Sequence, residues 1–341
     1  MSNPDRWRRI GGLLEAAVVL SMAPPAVSVE RAGPGVEVTP RLEAAIQKGL
    51  AWLASRQYPD GAFGSRYGKH VGVTGLACLA FMADGHLPGR GRYGAVVQRG
   101  LDFVLAHQDS SGLLAAETSH GPMYGHALAT LFLAEIYGSA GRGEVREALE
   151  RAVRLIEATQ NDQGGWRYQP VRADADITVT VCQVMALRAA RDAGIGVGAG
   201  TIERAVQYIL RSQNPDGGFR YRLSSGSSAF ARSAAAVAGL YYGGIYRGAA
   251  IERGLAYLMR YVPGQAEPQG HYFYGHYCAV QAMFQAGGRW WRRWWPAIRD
   301  ELLERQEPAG CWGGLASREY GTAMALIILQ VPKRLLPMLQ R

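Results

Sequence analysis

The chain has 341 residues, 48% hydrophobic and 19% charged, a composition that suits a large packed core and excludes a disordered chain or a coiled coil. No apolar run reaches the ~18 residues of a membrane-spanning helix. The four cysteines, Cys78, Cys182, Cys278 and Cys311, lack the CxxC spacing of a cysteine-rich zinc site and do not suggest a disulfide framework. The charge of +9 comes from 37 basic residues, nearly all Arg, with no long basic run interleaved with aromatics, so no nucleic-acid partner is expected.

In chain order, Arg6, Arg8 and Arg9 precede an apolar stretch over 10–23, then Pro24, Pro25 and the small-x-small pattern Ala26-Val27-Ser28. That layout predicts a secretory signal peptide over 1–28, hence an exported periplasmic or extracellular protein, followed by a linker over 29–40. From residue 41 to 341 a unit recurs about every 50 residues. Its first half is an amphipathic helix that carries a basic residue, a small residue, an aromatic or aliphatic pair and a closing Gln. The copies run Lys48-Gly49 to Gln57, Arg99-Gly100 to Gln108, Arg151-Ala152 to Gln160 and Arg204-Ala205 to Gln213. A fifth, from Arg253-Gly254, has Tyr261 in place of Gln, and a sixth, without the basic start, ends at Gln306.

After each Gln a turn with Gly is expected, at Gly61, Gly112, Gly164, Gly217 and Gly310, since Gly adopts the positive φ that reverses the chain. Phe63, Trp166, Phe219 and Trp312 follow as turn-pinning aromatics. The second half of each unit is apolar on nearly all sides and rich in Ala, Gly, Thr and Cys: 71–83, 124–137, 177–190, 229–242, 275–286 and 320–330. A helix apolar all round is buried. Six amphipathic helices around six buried ones predict an all-α fold, a single α6–α6 toroid, with an open solenoid as the alternative.

The pattern of basic residue, small residue, aromatic, aliphatic, Gln, Gly and aromatic resembles the QW repeat of squalene and terpene cyclases and the repeats of protein prenyltransferase β subunits. The likeness covers about residues 41–330, best in Gln160 to Trp166 and Gln213 to Phe219. It implies isoprenoid chemistry in a central aromatic cavity, by terpene cyclization or prenyl transfer, with a hydrophobic or isoprenoid small molecule as partner. A polysaccharide lyase or hydrolase and a non-catalytic binding or scaffold toroid stay open, as does the oligomeric state, because such toroids serve several chemistries.

Parallel inner helices would bring their starts to one rim: Lys69 and His70, Tyr124 and His126, Asp174 and Asp176, Phe230 and Arg232, His271, Tyr274 and His276, Glu319 and Tyr320. Asp174-Ala175-Asp176-Ile177-Thr178 is similar to the Asp-x-Asp-Asp-Thr motif of protonation-initiated cyclases, which assigns Asp176 as general acid with Asp174 beside it. Ile177 stands where the family has a third Asp, and helix capping is the bland reading. Tyr124-Gly125-His126 and Tyr274-Gly275-His276, each preceded by a further His (His120, His271), suggest two imidazoles facing each other across the centre, acid–base groups or buried structural histidines. Trp166, Tyr168, Tyr124, Tyr274 and Tyr320 are candidate aromatic contacts to substrate. Arg167, Arg220 and Arg232, with the helix N-termini, favour an anionic group.

The prenyltransferase resemblance implies zinc. His276 and Cys278 have part of its spacing, but i and i+2 on a helix diverge by about 200°, so zinc is disfavoured and no cofactor is expected. Trp290, Trp291, Trp294 and Trp295, interleaved with Arg292 and Arg293 ahead of Pro296 in the first turn of the sixth outer helix, admit contact with a membrane surface, though outer-ring packing is favoured.

Overall fold

A computed structural model describes residues 38–66, 68–116, 121–224, 226–265 and 270–340. The segment read as a signal peptide, nearly all of the linker, and His120 lie outside the described residues. Among these residues twelve α-helices alternate between two rings. The outer ring is α1 (Pro40–Ser55), α3 (Gly94–Ala106), α5 (Gly143–Thr159), α7 (Ala199–Arg211), α9 (Ala249–Leu258) and α11 (Gly288–Arg305). The inner ring is α2 (Val71–Met82), α4 (Met123–Ala140), α6 (Ile177–Asp192), α8 (Phe230–Tyr242), α10 (Tyr272–Ala286) and α12 (Arg318–Gln330).

Each inner helix packs on the next, and α12 packs back on α2, so the ring closes. Outer helices cover the seams: α5 touches α4 and α6, and α7 touches α6 and α8. Every residue of α2 is buried, as a helix walled in on all sides requires. The open solenoid is excluded by this closure. Among the described residues no helix is long and apolar enough to cross a membrane.

The repeated Gln is what joins one repeat to the next. The Gln160 Nε2 donates to Gly164 O at 2.9 Å and to Thr201 O of the next outer helix at 2.9 Å, while Oε1 accepts two hydrogen bonds from Arg204, at 2.9 and 2.5 Å. Gln57, Gln108 and Gln213 repeat this with Val96 and Arg99, Ala148 and Arg151, Ala250 and Arg253. Gln306 reaches Ala45 O at 2.9 Å and so fastens the last repeat to the first. The turn Gly is required twice over: Gly164 has φ +93°, and a Cβ there would lie 2.3 Å from Arg204 O. A second tie runs inward, where the residue after each turn donates its N–H to the inner helix: Phe63 to Thr74, Leu114 to His126, Trp166 to Thr180, Phe219 to Ser233 and Trp312 to Thr322.

At the fifth junction the repeat spacing puts Val262, one residue beyond the expected Tyr261, in the place of Gln, and Ala297 stands where the Arg would be, so both partners are lost together. Glu301 of α11 takes their place by accepting the Gly264 N–H at 2.7 Å and the Tyr272 hydroxyl at 2.6 Å. α11 also corrects a boundary. It begins at Gly288 and carries Pro296 in its interior, not its first turn. Trp291, Trp294 and Trp295 are buried on one helical face, which draws this stretch into the ring. Arg292 and Pro296 face water, where the carbonyl that Pro296 leaves without a donor can be hydrated.

Replacing Gln160 by Ala strands the Arg204 guanidinium and two carbonyls, so chemical denaturation should show a loss of about 2–4 kcal/mol. Gly138 sits near the end of α4, where an added Cβ would meet nothing within 4 Å, and Gly138→Ala should gain up to ~1 kcal/mol. Equal responses at the two positions would contradict the joining role of Gln160.

Candidate functional site

The start of α6 is held from three sides. The Asp176 N–H donates to Trp166 O at 3.0 Å, the Ile177 N–H to Tyr221 O at 3.0 Å, and the Tyr208 hydroxyl to Ala175 O at 3.0 Å. Asp176 is the N-cap: one carboxylate oxygen, Oδ1, accepts from Thr178 N at 2.9 Å, Val179 N at 3.0 Å and Thr178 Oγ1 at 2.7 Å. The other oxygen, Oδ2, is buried without a well-formed hydrogen bond. Burial raises the Asp176 pKa, against the opposing effect of the N–H donors, the Thr178 hydroxyl and the nearby Tyr221 phenol.

Two phenol arms flank this carboxyl. Thr178 Oγ1 meets Tyr124 OH at 2.5 Å, and Tyr168 OH meets Tyr221 OH at 2.5 Å. The Tyr274 hydroxyl donates to Thr178 O at 3.3 Å and lies 3.5 Å from Cys182 Sγ. Tyr274 is on α10 and Thr178 on α6, with α8 between them in the ring, so this side chain spans the centre of the toroid. The alanines of α8 leave room for it. Tyr124, Tyr274 and Tyr320 keep some accessible surface, and burial raises the pKa of all three phenols.

Asp174 is different in kind from Asp176. Its side chain is half-exposed and ion-paired to Arg167 and, at 3.4 Å, to Arg222. Each arginine also lies over its neighbouring ring, Arg167 at 5.0 Å from the Tyr168 centroid and Arg222 at 5.9 Å from that of Tyr221. Arg220 donates to Gln213 O at 3.4 Å, and half-buried Arg232 keeps its Nε without a partner. Elsewhere on the rim, His70 caps α2, Lys69 pairs with Asp60, Glu319 pairs with Arg56, and His271 is exposed at the start of α10.

The expected pair of imidazoles across the centre is not there. In a helix Tyr124 and Tyr274 face inward, and the histidines two residues on therefore face outward. His126 accepts the Leu114 N–H at Nδ1, 3.1 Å, and its Nε2 lies 3.3 Å from Ala152 O of α5. His276 is packed among Phe230, Tyr272 and Trp294, ring centroids at 4.9, 4.4 and 5.8 Å, with neither nitrogen hydrogen-bonded. Its turn-facing position matches that of His126, but the fifth repeat has Ala266 in sequence where the other repeats carry the turn Gly. Trp166 also faces outward, fully buried with its indole N–H on Ile156 O at 2.7 Å, so it offers no surface to a ligand. Among the described residues no group of three or more His, Cys, Asp or Glu is placed to hold a metal. All four cysteines are free thiols.

Two members of this site were not singled out from the sequence. Thr178 links Asp176, Tyr124 and Tyr274, and Tyr221 faces Asp176 from the next repeat. The recurrence of Arg-Tyr after two successive turns, at Tyr168 and Tyr221, was the available signal for the second.

Residues 51–314 match the prenyltransferase alpha-alpha toroid domain, and the chain belongs to that family. Drimenyl diphosphate synthase from Streptomyces showdoensis is 30% identical over 186 residues, 53% of this chain and 33% of that protein. The enzyme of the same name from Streptantibioticus cattleyicolor is 28% identical over 185 residues, with the same shares of each. The chain thus spans about a third of the length of these curated relatives. Among solved structures, a variant of the type II terpene cyclase MstE from Scytonema, in complex with geranylgeranyl dihydroxybenzoate, is similar at TM-score 0.63 and 14% identity, over 87% of this chain and 98% of that one. An alpha-1,6-mannanase from Salegentibacter sp. HEL1_6 is similar at TM-score 0.66 and 8% identity, over 86% of this chain and 99% of that one. At such identities both likenesses are of the fold.

Burial lowers the pKa of His70 and His126 to about 4 and that of His276 to about 3. These histidines fold neutral and charge on unfolding, so their contribution is complete above the ordinary value near 6.5 and is lost as pH falls toward 4 and then 3. His126→Phe removes the acceptor of Leu114 N–H and should cost about 1–3 kcal/mol at pH 7. His276→Phe breaks no hydrogen bond and should leave the pH 7 melting temperature unchanged or higher, with a shallower decline in acid. Thermal melts of both variants from pH 7 to 4 check this.

Proposed function

We propose that this toroid acts on an isoprenoid by protonating a carbon–carbon double bond, with Asp176 as the acid. The observation that carries the reading is the division of labour within one carboxyl group. Oδ1 alone makes the cap, so a proton on Oδ2 breaks none of the hydrogen bonds that start α6. Burial favours that protonated form. In the reaction the Oδ2–H bond breaks, a C–H bond forms, and positive charge appears on the neighbouring carbon. The rings of Tyr124, Tyr168, Tyr274 and Tyr320 would stabilise such a cation through their quadrupoles. A later loss of a proton from carbon ends the sequence and balances the charge.

The same mouth suits a substrate with an anionic head. Arg167 and Arg222 meet there, and α6 presents its N-terminus. Asp174, ion-paired to both arginines, positions them. The names of the relatives, diphosphate synthases and a terpene cyclase, support this class. A sugar-processing site finds less support, since Asp174 is tied to arginines and does not pair with Asp176 as a second free carboxylate. Tyr274 across the centre favours the binding or scaffold reading until a ligand displaces it.

Polyprenyl diphosphates, squalene and acidic polysaccharides should be screened with the full chain. With an isoprenoid turned over, Asp176→Asn should lower the rate ~100-fold or more, and the melting temperature should hold, because Asn caps a helix as well as Asp. Asp174→Asn should change the rate far less. Full activity in Asp176→Asn, or turnover of polysaccharide alone, defeats the proposal.

A further inference from the structure

The opposite mouth of the toroid holds a cavity remote from Asp176. The carboxy-terminal halves of α4, α6, α8 and α10, with the segment that follows α12, enclose a space of about 80 Å³. That is room for several water molecules or an organic group of about five heavy atoms. Glu135 projects into it from α4, and Tyr241, Tyr242 and Tyr246 line it from α8 and the turn beyond.

The charge left unpaired in this space has one sign. Arg188, the cation on its wall, is already committed: its Nε donates to both Asp192 oxygens at 2.9 and 2.7 Å, and its Nη1 is used by Tyr242 O and Tyr246 OH at 3.4 and 3.3 Å. Glu135 accepts the Met338 N–H at 3.2 Å and has no ion pair among the described residues. Four helices point their carboxy-terminal, partially negative ends at this mouth. Burial, with Asp192 adding to it, raises the Glu135 pKa to about 7. A half-buried carboxylate without a cation, facing phenol rings and helix carboxy termini, is a site for positive charge.

We propose that this cavity binds a small organic ammonium ion, its charge on the Glu135 carboxylate and its methyl or methylene groups on the faces of Tyr242 and Tyr246. The site is separate from Asp176 and independent of the reaction proposed for it.

The test is titration of the full chain at pH 8 with tetramethylammonium chloride, followed by calorimetry, against sodium chloride at matched ionic strength and against tert-butanol as a neutral probe of similar size. Saturable binding with Kd on the order of 1 mM is expected for the cation alone. Glu135→Gln should weaken it at least ~10-fold and Tyr246→Ala several-fold, since one cation–π contact contributes about 0.5–2 kcal/mol. Tyr246 is 52% exposed, so its removal leaves the fold intact and decides the matter if Glu135→Gln proves unstable. No saturable binding, equal binding of tert-butanol, or unchanged affinity in both variants overturns the proposal.

Discussion

A side-chain amide at the end of each outer helix has one acceptor and two donors, and the turn beyond it leaves carbonyls that need donors. In five of six repeats Gln meets both demands, and its remaining oxygen takes the Arg of the next repeat in four. The sixth repeat's Gln306 fastens to Ala45, so the chain closes on itself without a free end of the kind that solenoids must cap. Once these junctions fix the spacing of the outer helices, the inner ones have little freedom left. Small residues follow from that constraint. A Cβ at Gly100 would lie 2.3 Å from Cys78 Sγ, so a larger residue would push α3 off the inner ring.

Closure with parallel inner helices makes the molecule polar along its axis. One mouth collects helix N-termini, Arg167, Arg222 and the Asp176 cap; the other collects helix carboxy termini and Glu135. Both carboxyl groups are buried and both have raised pKa values, yet their surroundings differ. Asp176 is surrounded by N–H and O–H donors that bond one of its oxygens. Glu135 has one backbone N–H donor and shares a cavity wall with Tyr241, Tyr242 and Tyr246. The same fold therefore buries one carboxyl group among hydrogen-bond donors at one end and another without an ion pair among the described residues at the other.

The fifth repeat shows what happens when a repeating bond is given up. Val262 and Ala297 remove both halves of the Gln–Arg pair, so no orphaned charge is left behind, which is the less costly way to lose a buried polar contact. Glu301 then serves Gly264 and Tyr272. His276 is surrounded by aromatic rings, while His126 accepts a turn N–H. Two identical triplets have thus come to sit in different chemistry.

Much of the fold was legible because it is built from local, repeated signals: the Gln and Gly anchors, the amphipathic outer helices and the uniformly apolar inner ones each follow from short-range periodicity and turn chemistry. The position of Asp176 at the head of a buried helix was legible for the same reason. Which way a side chain points around a helix that is apolar on every face was not, because such a helix has no polar side to mark its orientation. Hence His126 and His276 were expected inward and lie outward; Trp166, in the turn before α6, lies outward as well, and Thr178 had no role of its own in the motif that contains it. The contrast between Asp174, paired with two arginines, and Asp176, sealed with one oxygen free, depends on loops from neighbouring repeats. Glu135 gave no signal in the sequence at all. Its character comes from residues as far off as Met338, which only closure of the ring brings within hydrogen-bonding distance.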